Sequence, residues 1–115
     1  MKTVIIYHNP RCSKSRQALE ILKNHHINPI VVEYLKTPLN LEQLCELRSF
    51  FLLKDFVRTN ESVFTQRHLN LEDEKTVLEA MVKEPILMQR PIVTSVGKAI
   101  IARQPEKLLE WIENL

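Results

Sequence analysis

Residues 8–16 carry the side chains in this sequence whose types and spacing best suit chemistry, and the segment reads HNPRCSKSR. A strand-like apolar run, Thr3–Tyr7, precedes the segment, and a helix-like run, Arg16–His25, follows it. At such a corner the backbone N–H groups of the first helical turn are unpaired, and the helix dipole adds partial positive charge. Four side chains add cationic groups nearby: His8, Arg11, Lys14 and Arg16.

These groups favour a thiolate at Cys12, because comparable settings lower a cysteine pKa from about 8.5 to roughly 3.5–7.5. The same N–H groups and cations would hold a small oxyanion. An isolated cysteine is more often a small buried hydrophobe, and Cys45, beside Leu44 in an apolar helical stretch, fits that interpretation. The polar flanks of Cys12 favour a nucleophile instead.

The composition narrows the class of protein. The chain has 115 residues, a net charge of +2 and a sequence pI of about 8.6, which is too balanced for an electrostatic nucleic-acid binder. No apolar run approaches the ~18 residues of a membrane span, and no signal peptide follows the opening Met1-Lys2-Thr3. We therefore expect a cytoplasmic protein with free thiols and no membrane or nucleic-acid partner.

The order of elements predicts an α/β fold. The first strand and helix lead to a second strand, Ile30–Leu35, as in a βαβ unit with parallel strands. Ser13 or Ser15 is the expected cap of the first helix. Asn40 and Gln43 resemble a capping box at the start of a helical stretch that Pro85 closes.

The last part of the chain predicts an antiparallel hairpin. A strand at 90–94, a turn at 95–98 that holds the only glycine, and a strand at 99–101 precede a helix that opens at Pro105. We predict a single domain, residues 1–115, with a thioredoxin-like, four-stranded mixed sheet, flanking helices and a helical insertion at about 40–85 between the second and third strands.

The cysteine loop lacks the second sulfur of a Cys-x-x-Cys redox pair, because Ser15 occupies that position. An outside thiol must therefore resolve whatever Cys12 attacks, and the apolar setting of Cys45 disfavours it as the resolver. A Walker loop is excluded, since the only glycine is Gly97. A cysteine-phosphatase loop is excluded too, since it needs an arginine where Ala18 stands.

Four motifs resemble the arsenate reductase family of the glutaredoxin-coupled type, and the match runs nearly end to end. They are His8-Asn9-Pro10-x-Cys12-x-x-Ser15-Arg16, Tyr34-Leu35-x-Thr37-Pro38, Arg58-x-Asn60, and Pro85-Ile86-Leu87-x-x-Arg90-Pro91-Ile92-Val93. The first and last motifs together are specific to the family, and the resemblance also implies a cis Arg90–Pro91 bond.

The resemblance implies a function in arsenic detoxification. Cys12 would attack As(V) of arsenate, glutathione would reduce the adduct, and glutaredoxin would resolve the mixed disulfide as arsenite leaves. The resemblance also assigns His8 and Ser15 as catalytic residues. Three arginines would bind the oxyanion: Arg58, Arg90 and Arg103. We expect a monomer without a metal or a tightly bound cofactor, with glutathione as co-substrate.

The sequence departs from the family at Arg11 and Lys14, where members with established activity tend to have small neutral residues. The added positive charge should tighten anion binding and should affect which anion or thiol partner the site accepts. Two alternatives stay open at this point. One is a redox-responsive interaction protein of the Spx type, which usually carries the second cysteine that Ser15 replaces. The other is a monothiol glutathione-dependent thiol transferase without an oxyanion step.

Overall fold

The computed structural model describes residues 3–115, so Met1 and Lys2, which belong to the segment predicted to hold no signal peptide, lie outside the described residues. The strands and helices follow in the order β1 (Ile5–Tyr7), α1 (Ser13–Asn24), β2 (Ile30–Val32), α2 (Leu41–Arg48), α3 (Leu53–Phe56), α4 (Ser62–Gln66), α5 (Glu74–Lys83), a 3-10 helix (Pro85–Leu87), β3 (Ile92–Ser95), β4 (Lys98–Ile101) and α6 (Pro105–Glu113). Two units make up the chain. One holds the residues up to Tyr34 together with Arg90–Leu115, and the other holds Leu35–Gln89.

The first unit contains a four-stranded sheet in the order β2-β1-β3-β4. β1 pairs with β2 in parallel and with β3 antiparallel, and β3 pairs antiparallel with β4. Two parallel strands joined to an antiparallel hairpin, with α1 and α6 flanking them, form the thioredoxin-like arrangement that the sequence predicts. Gly97 makes the hairpin turn with a φ of +72°, a conformation that costs glycine little.

The core of this unit lies where α1 and α6 cover the sheet. Its buried side chains are Val4, Ile6, Ala18, Leu22, Val93, Ala102 and Leu108. The apolar stripe of α1 therefore faces the core, because Ala18 and Leu22 are spaced by one helical turn. This packing fixes the start of α1, and with it the cysteine loop, against the end of β1.

Two predicted boundaries of this unit, the start of α1 and the end of β2, are wrong by three residues, and the other predicted boundaries differ by two residues at most. α1 begins at Ser13 with Cys12 as its N-cap residue, and neither Ser13 nor Ser15 caps it. Ser15 is instead fully buried and bonded to a tertiary partner, which a local capping rule does not anticipate. β2 ends at Val32, not at Leu35, because its pairing with the three-residue β1 stops there.

The second unit consists of short helices. Asn40 and Gln43 form the predicted capping box on α2, with N···O distances of 2.8 and 2.9 Å. Leu44 and Leu47 are the buried residues of α2, whereas Cys45 is exposed. The expectation that Cys45 packs in a core is therefore wrong, since it lies off the apolar face of its helix.

Substitutions at a buried and at an exposed position of the first unit should differ clearly in their effect on the free energy of unfolding. Leu22 is 0% exposed and Val96 is 82% exposed. Leu22→Ala should lower the free energy of unfolding by about 2–5 kcal/mol, because it removes buried methyl groups and leaves a cavity. Val96→Ala should change it by less than about 0.5 kcal/mol. Urea unfolding followed by circular dichroism measures both, and equal effects would contradict the assigned core.

Candidate active site

Cys12 lies between β1 and α1, and its backbone holds the loop closed. Its N–H donates to the carbonyl of Asn9 at 3.0 Å, and its own carbonyl accepts the N–H of Arg16 at 3.0 Å, the first hydrogen bond of the helix. Its side chain is half-buried. A cysteine at the N-cap therefore presents its sulfur to the unpaired N–H groups of the first turn.

The pKa of Cys12 is lowered from the ordinary value of a cysteine thiol. Burial is the largest influence and raises the pKa, but four contributions together outweigh it. The backbone N–H groups of Ser15 and Lys14 hydrogen-bond to the sulfur, and Arg90 adds its charge and a side-chain hydrogen bond. Each of these stabilises the thiolate over the thiol, which is the form that acts as a nucleophile.

Arg90 comes to the cysteine loop from the far part of the chain, directly before β3. Its bond to Pro91 is cis, as the resemblance implies. Within residues 3–115 the Nε atom of Arg90 is buried and has no hydrogen-bond partner. A guanidinium offers five donors in a planar fork, so Arg90 retains donors for an anion beside the sulfur.

Arg103 lies just after β4, and its Nη1 donates to the carbonyl oxygen of Arg90 at 3.0 Å. The N–H of Ala102 donates to the carbonyl of Pro91 at 2.8 Å, which joins the same two segments. Arg103 therefore supports the backbone that carries Arg90, while the role in oxyanion binding that the resemblance implies stays a prediction.

Arg58 belongs to the second unit. Its N–H donates to the carbonyl of Leu87 at 2.7 Å, and its Nη1 lies 3.3 Å from Oε1 of Glu61. A backbone bridge between Val57 and Met88 secures the same segment. These contacts give Arg58 a defined backbone position within its unit, and its assignment as an oxyanion ligand stays a prediction.

His8 and Ser15 form a buried pair beneath the loop. His8 is 6% exposed and Ser15 is 0% exposed, and His8 Nδ1 lies 2.6 Å from Ser15 Oγ. Ser15 Oγ also accepts the N–H of Asn9 at 3.0 Å, and the N–H of His8 donates to the carbonyl of Val32 at 2.8 Å. One hydroxyl therefore ties the histidine, the loop and the first turn of α1 together.

Burial lowers the pKa of His8 from its ordinary value of 6.5. Glu33 opposes the shift, and the charges of Arg16 and Lys23 add to it. Near neutral pH the imidazole is therefore uncharged, so His8 does not supply the positive charge that the sequence predicts for the loop. The hydrogen bond between His8 and Ser15 instead helps to hold the loop in place.

Asn9 has a structural role in the loop that the sequence did not predict. The sequence showed only that Asn9 lies in the break between the first strand and the first helix. Its Oδ1 accepts the N–H of Arg11 at 3.0 Å, which folds the loop over its own backbone. The guanidinium of Arg16 reaches back to the carbonyl of Pro10 at 2.9 Å. The Asn-Pro pair was the available signal, since asparagine commonly bonds to the backbone two residues on.

Residues 3–115 contain neither a cluster of metal-binding side chains nor a helix that could span a membrane. From Thr3 to the end of the chain, no three His, Cys, Asp or Glu side chains are grouped so as to hold a metal ion. No helix in the same stretch has the length and apolar character needed to cross a membrane. Both cysteines are free.

A thioredoxin-like sheet with a single cysteine in the loop before α1, and an arginine before the cis-proline, defines a class of thioredoxin-like proteins that lack the second cysteine of the loop. The profile of the ArsC family matches residues 7–111. The chain therefore belongs to the ArsC family.

Individual relatives match along nearly the whole chain. The chain is 44% identical to "Uncharacterized protein YfgD" of Escherichia coli K12, a match that covers 96% of this chain and 98% of the relative. It is 35% identical to an arsenate reductase of Haemophilus influenzae, covering 94% and 97% respectively. The structure of an arsenate reductase from Vibrio cholerae superimposes with a TM-score of 0.86 at 35% identity, covering 95% of this chain and 97% of that one.

Arg90 should account for part of the acidity of Cys12. In a Cys45→Ser background, which leaves one thiol, Arg90→Gln should raise the pKa of Cys12, because it removes a positive charge and a hydrogen bond. Arg90→Lys keeps the charge and should raise the pKa less. Thiolate absorbance near 240 nm, titrated against pH, measures each value, and an unchanged pKa in Arg90→Gln would contradict this role.

Burial of neutral His8 should make stability depend on pH. As the pH falls through 6.5, the histidine takes up a proton in the unfolded chain but resists it in the folded protein. The free energy of unfolding therefore falls as the pH decreases from about 7, until the lower pKa of the folded state is reached. Between pH 7.5 and 5.5 the wild type should lose more stability in urea unfolding than His8→Asn, and parallel losses would refute this.

Proposed function

We propose that this protein is an arsenate reductase that uses Cys12 as its nucleophile and draws electrons from glutathione and glutaredoxin in the cytoplasm. The observation that carries the proposal is the lowered pKa of a half-buried Cys12 beside Arg90. Relatives named arsenate reductase, 35% identical over nearly the full chain, support the choice of substrate.

The charges of the loop suit an attack on an anion. Arsenate carries about one to two negative charges at neutral pH, so a thiolate is repelled unless positive groups lie at the point of contact. Arg90 supplies such a charge, and a guanidinium matches the oxygens of a tetrahedral oxyanion. The N–H groups of Lys14 and Ser15 favour negative charge at the same place. In this proposal Arg58 and Arg103 add further oxyanion contacts.

The first step joins sulfur to arsenic. The Cys12 thiolate forms an S–As(V) bond and one arsenate oxygen leaves as water after taking up two protons. Glutathione thiolate then attacks the Cys12 sulfur, so that an S–S bond forms and the S–As bond breaks. The electron pair of that bond passes to arsenic, which leaves as arsenite, As(III).

A second thiol, on glutaredoxin, then attacks the mixed disulfide and returns Cys12 to the thiolate. Two thiols are oxidised to one disulfide for each arsenate reduced, so atoms and electrons balance. His8 and Ser15 serve this cycle by holding the loop in one geometry. Their buried contact keeps the first turn of α1 beside the sulfur through each step.

A coupled assay tests the proposal. The purified protein is mixed with arsenate, glutathione and glutaredoxin, and NADPH oxidation through glutathione reductase is followed. Wild type and Cys45→Ser should turn over arsenate at similar rates, because in this proposal glutathione and glutaredoxin, not Cys45, resolve Cys12. Cys12→Ser should lose at least about 100-fold, since no other nucleophile replaces the thiolate.

Two results would reject the arsenate reductase. One is a wild-type rate no higher than that of Cys12→Ser. The other is Cys12-dependent reduction of a glutathionylated test peptide that persists in Arg90→Ala while arsenate is not reduced, which would favour a thiol transferase.

A further inference from the structure

The hydroxyl of Ser15 lies inside the cysteine loop and makes two hydrogen bonds. Its Oγ atom lies 2.6 Å from Nδ1 of His8 and 3.0 Å from the backbone nitrogen of Asn9. Within residues 3–115 this oxygen has no further hydrogen-bond partner. Ser15 is fully buried, so bulk water does not reach it. Two neighbours therefore share the one hydrogen and the lone pairs of this hydroxyl.

These two neighbours determine the direction of each hydrogen bond. The backbone nitrogen of Asn9 can only donate, so it uses a lone pair of the Ser15 oxygen. The hydroxyl hydrogen must then point to an acceptor, because a buried donor without a partner is costly. Nδ1 of His8 is the acceptor within reach in the described part of the chain. Ser15 therefore donates to Nδ1, and neutral His8 carries its proton on Nε2.

Ser15 also faces the sulfur of Cys12 through its backbone. Its N–H is one of the groups that hydrogen-bond to the sulfur and lower the pKa of the thiol. Asn9 donates its N–H to the Ser15 hydroxyl, and its carbonyl oxygen accepts the N–H of Cys12 at 3.0 Å. The hydroxyl thus holds in place both an N–H group that stabilises the thiolate and the backbone that carries Cys12.

A proton on Nδ1 of His8 is incompatible with this arrangement. The Nδ1–H group and the N–H of Asn9 would both donate to Ser15 Oγ, so the hydroxyl hydrogen would have to turn to a third direction. No third acceptor lies within hydrogen-bond distance of Oγ among residues 3–115. The folded loop therefore favours the neutral imidazole for a reason additional to burial.

The charged groups around His8 do not remove this constraint. Glu33, which follows β2, favours the imidazolium, whereas Arg16 and Lys23 on α1 oppose it. Burial opposes the imidazolium more strongly than any of these charges acts. The charge of His8 is not among the influences on the pKa of Cys12. An effect of a His8 proton on Cys12 must therefore pass through the hydrogen bonds of the loop.

We propose that His8 and Ser15 form an acid-sensitive switch, in which a proton on Nδ1 of His8 breaks the hydroxyl contact and loosens the loop. The Cys12 thiolate then takes up a second proton from solvent and becomes the thiol. Ser15 is a positioning residue, since it acts on the sulfur through the loop. This switch goes beyond the proposed function, because it acts on Cys12 with no substrate present. It is opposite in sign to the effect of a cation beside a thiolate, which would stabilise it.

The first test measures the tautomer of His8. In protein labelled with the heavy nitrogen isotope, long-range proton–nitrogen correlation spectra at about pH 7.5 distinguish a protonated from an unprotonated ring nitrogen. The signals of His8 are those missing from His8→Asn. Nε2 should carry the proton and Nδ1 should be unprotonated. A proton on Nδ1 at this pH would overturn the proposal, because Ser15 would then be the acceptor.

The second test follows Cys12 in a Cys45→Ser background, which leaves one thiol. The rate of alkylation by iodoacetamide, an uncharged reagent, reports the thiolate fraction. As the pH falls below 6.5, the ordinary pKa of histidine, the parent rate should fall more steeply than for an isolated thiol. It should reach about tenfold below the one-proton curve, the factor expected for one hydrogen bond. His8→Asn should follow the one-proton curve, because an amide oxygen accepts the Ser15 hydrogen without titrating.

Two further variants separate the switch from a general effect on the loop. Ser15→Ala removes the hydroxyl, so at the acid end of the profile it should react about tenfold more slowly than His8→Asn and show one-proton dependence. Circular dichroism verifies that each protein is folded, and the tautomer and the His8→Asn profile decide the matter if Ser15→Ala is not. His25→Asn is the matched control, because His25 is the C-cap of α1 and its side chain hydrogen-bonds to the carbonyl of Ile21. It should keep the steep profile of the parent.

Three profiles would overturn the proposal: a parent that follows the one-proton curve, a steep profile that His8→Asn retains, or a steep profile that His25→Asn loses as well. A pKa of Cys12 that rises in His8→Asn would also overturn it, because His8 would then act by positive charge. These measurements contain no arsenate, so their outcome is independent of whether arsenate is reduced.

Discussion

The stabilised sulfur of Cys12 is the interaction on which the rest of this site depends. Burial alone would keep the thiol protonated, and the backbone N–H groups of the first turn with Arg90 reverse that preference. Each contribution requires a different part of the fold: α1 must begin at Ser13, and the segment before β3 must lie beside the loop. The thioredoxin-like sheet satisfies both, because β1 and β3 are paired neighbours.

The loop also separates two kinds of positive charge. Arg90 has a buried Nε and lowers the pKa of Cys12, whereas Arg11, Lys14 and Arg16 are exposed and their charges are not among the groups that lower it. The neutral His8 belongs to neither group. It holds the loop through Ser15 from beneath.

The fold followed from local signals where those signals were strong. The β-branched run of β1, the capping box of Asn40 and Gln43, and the glycine at the hairpin turn were all visible as patterns. Predictions that rested on weaker local signals were wrong for identifiable reasons. Ser15 is of a residue type that commonly caps helices, but its side chain makes a buried hydrogen bond with His8. Cys45 follows a core leucine in the sequence but lies off the apolar face of α2.

The sequence alone determined the order of strands and helices along the chain, the cysteine loop and the resemblance of its motif to a known family, because each rests on residue types at short spacing. Only the tertiary structure decided that Arg90 lowers the pKa of Cys12 and that the charges of Arg11, Lys14 and Arg16, which the sequence predicted to do so, do not. Arg90 is distant in the chain and is brought to the loop by strand pairing. It also decided the charge of His8. Burial sets that charge, and burial belongs to the packed core, not to the residues next to His8 in the chain.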